Sequence, residues 1–390
     1  MIEENKVSSV EGVNEKKNLD NPPERCFVQN DNQNPLTRVT VKEGEASTAE
    51  VSAVCPQKCV TSDIAPSSAE NHLHLSEKSV AFLNNNVWIE AIITAVKSFP
   101  EVGERKMVLD MNPFPVFGLI LLKHDVSKSL VWCSNSRGSL RIEEKRSFFE
   151  IASANGIEAD RLKYESEDSL QGEFDIIFCD LIDPVGELQE SVVGKLPILL
   201  QMIKPNGIFM PRRMRVKAQL LFSEWLAKMS QVLSDENVCN YKIAEFMNVY
   251  KVPQHLDLDM NSLIKDACSQ PVEVMEWEIK SLSASEPVKG SKVVHIEIMK
   301  DCPVNTIAYW YEEEILEDLW VSSFGCDSHL KQAATIFPLE LNVTGRGNVP
   351  IKITHHQGFI HLQLDMAALE SHETIGDFQK KLNIQDQISA

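Results

Sequence analysis

Between residues 106 and 213 the chain repeats one alternation, and this restricts its fold more than any other feature. "KMVLDM", "SLVWCS", "RLKYES", "EFDIIFCD" and "GIFMPRRM" are short apolar runs of strand length. Among them stand "VFGLILLKH", "RIEEKRSFFEIASANGI" and "LPILLQMI", which read as helices. Strands alternating with helices of this length imply a parallel, doubly wound sheet, with ligands at the C-terminal ends of its strands. "KPNG" at 204–207 supplies a helix stop and a turn before the last of these strands. One more helical pattern, "SVAFLNNNVWIEAIITAVKSF", precedes the first strand.

After residue 213 the pattern becomes extended. "VVHIEIM", "NTIAYWYEEEI", "IKITHHQ" and "GFIHLQLD" read as antiparallel strands of a β-barrel or sandwich. Residues 1–70 are rich in Asn, Ser, Glu, Lys and Pro, with few aromatics and no sustained period. Such a segment cannot bury enough apolar surface to offset its ordering entropy, so it is expected to be a disordered linker. The expected plan is a tail over 1–70, a Rossmann-like domain over 71–213 and a β domain over 214–390.

Composition narrows the function classes. A net charge of −19 is unsuited to nucleic acid or an anionic membrane, which need basic surface, and suits cationic partners such as arginine-rich peptides. No apolar run approaches 18 residues and no basic-apolar leader is present, so a non-secreted protein is expected, cytoplasmic with the nucleus as a second compartment. The nine cysteines are scattered. Cys55 and Cys59 have no second pair at metal spacing, so no metal is expected and the thiols are read as reduced. Cys133 and Cys179 sit in apolar runs, as small buried hydrophobes do.

The segment "VLDMNPFPVFGLILL", residues 108–122, poses the functional question. An apolar strand ending in Asp110, a turn and an apolar helix is how a nucleotide-binding βα unit begins. Where glycines would let the backbone lie against a ligand, this chain has Asn112, Pro113, Phe114, Pro115 and Val116.

An ordered series of segments then resembles the protein arginine methyltransferases, which use S-adenosylmethionine. The likeness spans about residues 76–367. "AFLNNNVWIEAI" resembles the family's cofactor-lid helix, "VLDMNPFP" stands at its glycine loop and "VWCSNS" at its second strand. "ESEDSL" resembles the adenine-contacting segment, and "FDIIFCDLIDPVGELQESVV" the double-glutamate loop. "LLQMIKPNGIFMPRRM" matches the strand entering the barrel, and "CPVNTIAYWYEEEI" the barrel's aromatic strand. "DSHLKQAATIFP" resembles the Thr-His-Trp loop. Within the family, the wording is similar to the C-terminal module of a member that carries tetratricopeptide repeats and two tandem methyltransferase modules.

The resemblance implies a Rossmann-like class I methyltransferase domain followed by an antiparallel β-barrel. It also implies a role for six positions. Asp110, Asn135 and Glu167 stand at cofactor-binding positions, and Asp180, Glu190 and His329 at catalytic ones. Glu187 replaces Glu190 if the loop shifts. Bland roles fit the same residues: Asp110 can cap the following turn, Glu167 can be a solvated charge and His329 a structural histidine. Four departures stand together: the missing glycines, Asn135 in place of the ribose-binding acid, Asp180 one methylene shorter than Glu, and Leu330 in place of Trp. Arginine methylation needs two carboxylates that clamp a guanidinium by bidentate bonds, and errors near 1 Å cost roughly 100-fold in rate. The expectation is a pseudo-catalytic module of a protein arginine N-methyltransferase, probing as weak or inactive alone and supporting an upstream or partner module. The expected chemistry is symmetric dimethylation of arginine-rich proteins, RNA-binding or splicing proteins among them. The alternative is a non-catalytic module binding arginine-rich proteins through its acidic face.

Overall fold

The computed structural model describes residues 77–99, 106–133, 142–250, 252–263, 265–282, 289–325, 328–343 and 347–371. The tail expected over 1–70 and the expected site residue Asn135 lie outside the described residues.

The first helical pattern is two helices, α1 (Glu77–Leu83) and α2 (Asn86–Ser98). Asn85 separates them because its side-chain oxygen accepts from the Trp88 amide at 3.2 Å, which caps α2. Trp88, Ile92, Ala95 and Val96 form the buried stripe of α2.

The alternating region then follows as β1 (Lys106–Asp110), α3 (Val116–Lys123), β2 (Ser127–Trp132), α4 (Ile142–Ala154) and β3 (Leu162–Tyr164). It continues with β4 (Phe174–Phe178), α5 (Glu190–Val193), α6 (Leu196–Gln201) and β5 (Ile203–Met210). The five strands pair in parallel in the order β3-β2-β1-β4-β5. The order reverses between β1 and β4. That places the C-terminal ends of these two strands at the crevice where doubly wound sheets bind ligands.

"KPNG" does not form a turn ahead of the fifth strand. It is a bulge inside β5: the pairing steps from Phe174↔Ile203 to Ile176↔Ile208, and the residues between are accommodated on one strand only. A Cβ on Gly207 would lie 3.0 Å from the Phe174 carbonyl, so glycine permits this close approach.

From Arg213 onward the strands are antiparallel. β6 (Arg213–Phe222) leads into α7 (Glu224–Ser230), α8 (Ala244–Met247), β7 (Gln254–Leu258), β8 (Asp266–Ala267), β9 (Val272–Glu278) and α9 (Ile279–Leu282). Then come β10 (Lys289–Glu297), β11 (Cys302–Leu316), β12 (Leu319–Ser322), β13 (Gln332–Val343), β14 (Asn348–His356), β15 (Phe359–Leu364) and α10 (Met366–Ser371). One sheet runs β7-β13-β11-β6-β8, with β9 pairing β6 and β12 pairing β11; a second runs β10-β14-β15.

Strand β11 is the spine of the larger sheet. Its "YEEEI" shows the two-residue period of a strand. Glu312 and Glu314 pair across to Arg215 and Arg213, with contacts of 2.5 and 2.6 Å, and both arginines lie over the Trp320 ring. Glu313, between them, points to the opposite face and is fully buried toward the parallel sheet.

Candidate functional site

The turn from β1 to α3 is built around Asp110. It has no exposed surface, and it accepts from the Asn112 amide at 3.1 Å and the Gly118 amide at 3.0 Å. Burial pushes its carboxyl up to about 7, against the pull of these hydrogen bonds. Asp110 thus ties the end of β1 to the first turn of α3. Gly118 lets α3 approach β2, since a Cβ there would lie 2.3 Å from Leu130 Cδ1.

Asn112 links the neighbouring strand ends. Its Oδ1 accepts from the Asp180 amide at 3.0 Å, and its carbonyl accepts from Trp132 Nε1 at 2.9 Å. Trp132, the last residue of β2, is fully buried against Phe148 (4.7 Å between ring centroids) and Tyr164 (5.5 Å). Phe114 is buried in the same turn. The β1–α3 turn thus carries the side chains of Asn112 and Phe114, which also wall the cavity at the crevice.

The loop after β4 is held on several sides. Ile182 and Leu188 form an antiparallel bridge, and the Gly186 amide donates to the Asp183 carbonyl at 2.9 Å. Gly186 has φ +95°, and its Cα faces the Gln332 backbone so closely that a Cβ would lie 2.7 Å from the Gln332 carbonyl carbon. The Lys331 and Asp257 amides donate to the Pro184 and Val185 carbonyls at 2.8 and 2.7 Å.

Asp180 opens this loop and accepts from the Ile182 amide at 3.1 Å. Burial, together with the charge of Asp183, raises its carboxyl to about 7. Glu313 comes from below on β11 and accepts from the Leu181 amide at 3.3 Å; its other oxygen is buried and has no hydrogen-bond partner among the described residues. Burial, then the neighbouring Asp180 charge, raises Glu313 well above the usual carboxylate range. Two carboxyls in one buried place cannot both ionise readily, so each raises the other.

Glu187 accepts from Gln254 Nε2 at 2.8 Å and from the hydroxyls of Tyr309 and Tyr311. Burial raises its carboxyl in spite of these bonds. Glu190 is exposed in the first turn of α5 and, with Asp183 and Glu187, lines an open depression.

His329 is clamped by the N-terminal helices. Its Nδ1 accepts from Asn85 Nδ2 at 2.9 Å, and its ring makes edge contacts with Phe82 and Trp88, at 5.0 and 5.6 Å. Burial lowers its pKa to about 4, so the imidazole is neutral at physiological pH. Glu167 lies exposed on a 3-10 turn and pairs with Lys195 at 2.6 Å.

A cavity of about 190 Å³ lies at the crevice, walled by Asp180, Asp183, Phe82, Phe114, Asn112 and His329, among others. It brings Asp180 and His329 together. Asp110, Glu167 and Glu190 do not line it. Sequence reasoning missed Glu313 and the tyrosines that hold Glu187. The signal for the first was available in "YEEEI", where strand alternation sends the middle glutamate to the other face.

No protein-family model matches the chain. Its sequence is 26% identical over 187 residues to protein arginine N-methyltransferase 9 of Mus musculus, covering 48% of this chain and 22% of the mouse protein. With the Xenopus laevis protein of the same name the identity is 20% over 294 residues, covering 67% of this chain and 36% of the relative. The chain is similar in sequence to protein arginine N-methyltransferases. It spans about a fifth to a third of the length of these curated relatives. Among solved structures it is similar in fold to a protein arginine methyltransferase of Trypanosoma brucei, PRMT1, in its enzyme–prozyme heterotetrameric complex with AdoHcy. The TM-score is 0.54 at 13% identity, covering 70% of this chain and 87% of that one. It is also similar to protein arginine methyltransferase 10 of Arabidopsis thaliana, with TM-score 0.50 and 16% identity over 70% of this chain and 86% of that one. A parallel sheet followed by antiparallel sheets is thus the arrangement shared with the arginine methyltransferases.

Proposed function

We propose that the chain is part of an S-adenosylmethionine-dependent protein arginine N-methyltransferase, and that it is the C-terminal, pseudo-catalytic module of that enzyme. On this reading the family's barrel takes residues 214–390, where the described strands are antiparallel, and its methyltransferase domain takes 71–213, where they are parallel. The module supports an active module that carries out the transfer, with symmetric dimethylation of arginine-rich, RNA-binding or splicing proteins as its work in the cytoplasm and nucleus.

The observation that carries this reading is the β1–α3 turn, with Asn112 and Phe114 in place of glycines. The residues present do not fit the methionine end of S-adenosylmethionine. Asn112 offers its oxygen to the Asp180 amide and its carbonyl to Trp132, while Phe114 is packed into the turn. The cavity that remains, about 190 Å³, falls below the roughly 300–1,000 Å³ of pockets that hold drug-sized ligands. Here the chain's own groups position backbone rather than a methyl donor. Asp180 and Glu313 share one buried place, and Glu187 is held by Tyr309, Tyr311 and Gln254, so these carboxyls are engaged with the protein's own groups.

An exposed apolar segment supports the reading that this module works beside another. Trp225, Met229, Tyr241, Phe246, Met247 and Val249 are exposed on the segment between β6 and β7, from 45% for Trp225 to 77% for Val249. A concentration of large apolar side chains facing water marks an interaction surface. One observation favours the second reading, a module that binds arginine-rich proteins without catalysis: Asp180 and Asp183 line the same small cavity as Phe82 and Phe114. Titration of the chain with S-adenosylmethionine and, separately, with an arginine-rich peptide tests both. Peptide binding without cofactor binding supports the interaction module, and cofactor binding contradicts the pseudo-catalytic reading.

A further inference from the structure

Two cysteines meet at the edge of the larger antiparallel sheet, away from the cavity. Cys268 directly follows β8, and Cys302 is the first residue of β11. The backbone pins them together. The Cys268 amide donates to the Leu220 carbonyl at 2.9 Å, and the Cys268 carbonyl accepts from the Met299 amide at 2.8 Å. The chain then turns through residues 300 and 301 and returns to Cys302 beside the same residue. The Cys268 thiol donates to the carbonyl of Pro303, the residue after Cys302, at 3.3 Å. Cys268 is fully buried, Cys302 is part-exposed, and both are free thiols.

We propose that Cys268 and Cys302 form a redox modification site, which a peroxide oxidant converts into a disulfide joining the β8 edge to the start of β11. The difference in exposure sets the order of events. Burial, then the interaction with Cys302, pushes the Cys268 thiol up to about 12, so it stays protonated. The accessible Cys302 reacts first. Its thiolate sulfur attacks hydrogen peroxide, the O–O bond breaks and hydroxide leaves, giving a sulfenic acid. The Cys268 sulfur then attacks the Cys302 sulfur. The S–S bond forms, the S–O bond breaks, and the departing hydroxide takes the Cys268 proton as water. Two thiols and one peroxide yield one disulfide and two waters. The inference does not depend on the methyltransferase reading.

Peptide mapping of the full chain after exposure to hydrogen peroxide, with free thiols then capped by an alkylating reagent, tests this. The expected product is a crosslinked peptide pair containing Cys268 and Cys302. Its mass should be lower by two hydrogens than that of the two peptides together, and a dithiol reductant should abolish it. Closing a loop between these positions should also raise the unfolding midpoint of the oxidised chain. In Cys302→Ser the Cys268 thiol should remain alkylatable after denaturation. Recovery of Cys268 and Cys302 both alkylated from the oxidised wild-type chain would overturn the proposal. So would stable sulfinic acid at Cys302 beside free Cys268, or a crosslink from Cys302 to the exposed Cys239 in place of Cys268. The wild-type map decides the matter even where a variant fails to fold.

Discussion

Asp110 closes β1 inside the protein, and both of its oxygens serve backbone donors of the following turn. Asp110→Ala leaves two buried N–H groups unpartnered at about 1–3 kcal/mol each. Urea unfolding is expected to show a loss of about 2–6 kcal/mol in all, whereas a change within about 0.5 kcal/mol, typical of surface sites, would show that the turn does not depend on it. Asp180 supplies a prediction with a sign. An aspartate in an unfolded chain titrates near 3.9, whereas burial holds Asp110 and Asp180 at about 7 in the fold. Between these values the folded state binds more protons. Their contribution to stability is therefore complete below about pH 4 and is lost as the pH rises to about 7. Asp180→Asn keeps an oxygen for the Ile182 amide and cannot ionise. The unfolding free energy of this variant should fall less steeply over that window, and it should be at least as stable as the parent at pH 8. An unchanged slope would place Asp180 in a solvated setting instead.

At the scale of elements, close approaches set the frame of the site. Gly118→Ala would drive a Cβ into the buried Leu130, the central contact between α3 and β2. A well-packed core resists such an addition by about 1–3 kcal/mol, and calorimetric melting should show a lower midpoint; an unaltered midpoint would mean that α3 can shift freely. Much of this frame was legible in the sequence. The parallel sheet followed from apolar runs alternating with helical ones, and the aromatic run 309–311 marked the buried strand β11. Other features depended on contacts that a pattern does not carry. Asn85 splits what reads as one helix because its side chain finds the Trp88 amide. "KPNG" carries strong turn residues, yet β4 pairs on both sides of it, so tertiary pairing turned a stop signal into a bulge. The candidate site was legible in part: Asp180 and His329 do share a cavity, whereas the placement of Glu187 rests on hydroxyls of Tyr309 and Tyr311, more than a hundred residues away. The buried position of Glu313 was implicit in strand alternation, but its nearness to Asp180 required the packing of β11 under the end of β4.

At the scale of the whole molecule, a net charge of −19 and an exposed apolar segment suit a module that works beside a partner. The site and the scaffold then separate in a complete two-module enzyme. Asp180→Asn should leave methylation of an arginine-rich peptide near the parent level. Trp310→Ala removes a buried ring stacked on Phe324 at 4.7 Å, a change that costs about 3–5 kcal/mol, and should reduce methylation. Loss of turnover in Asp180→Asn with normal turnover in Trp310→Ala would make the cavity catalytic. The proposal stands or falls on whether the β1–α3 turn, with Asn112 and Phe114 in place of glycines, excludes the cofactor. Isothermal titration of the chain with S-adenosylmethionine measures this most directly. The account predicts weak binding or none, with no thermal shift at sub-millimolar cofactor; saturable binding with a dissociation constant in the low micromolar range would contradict it.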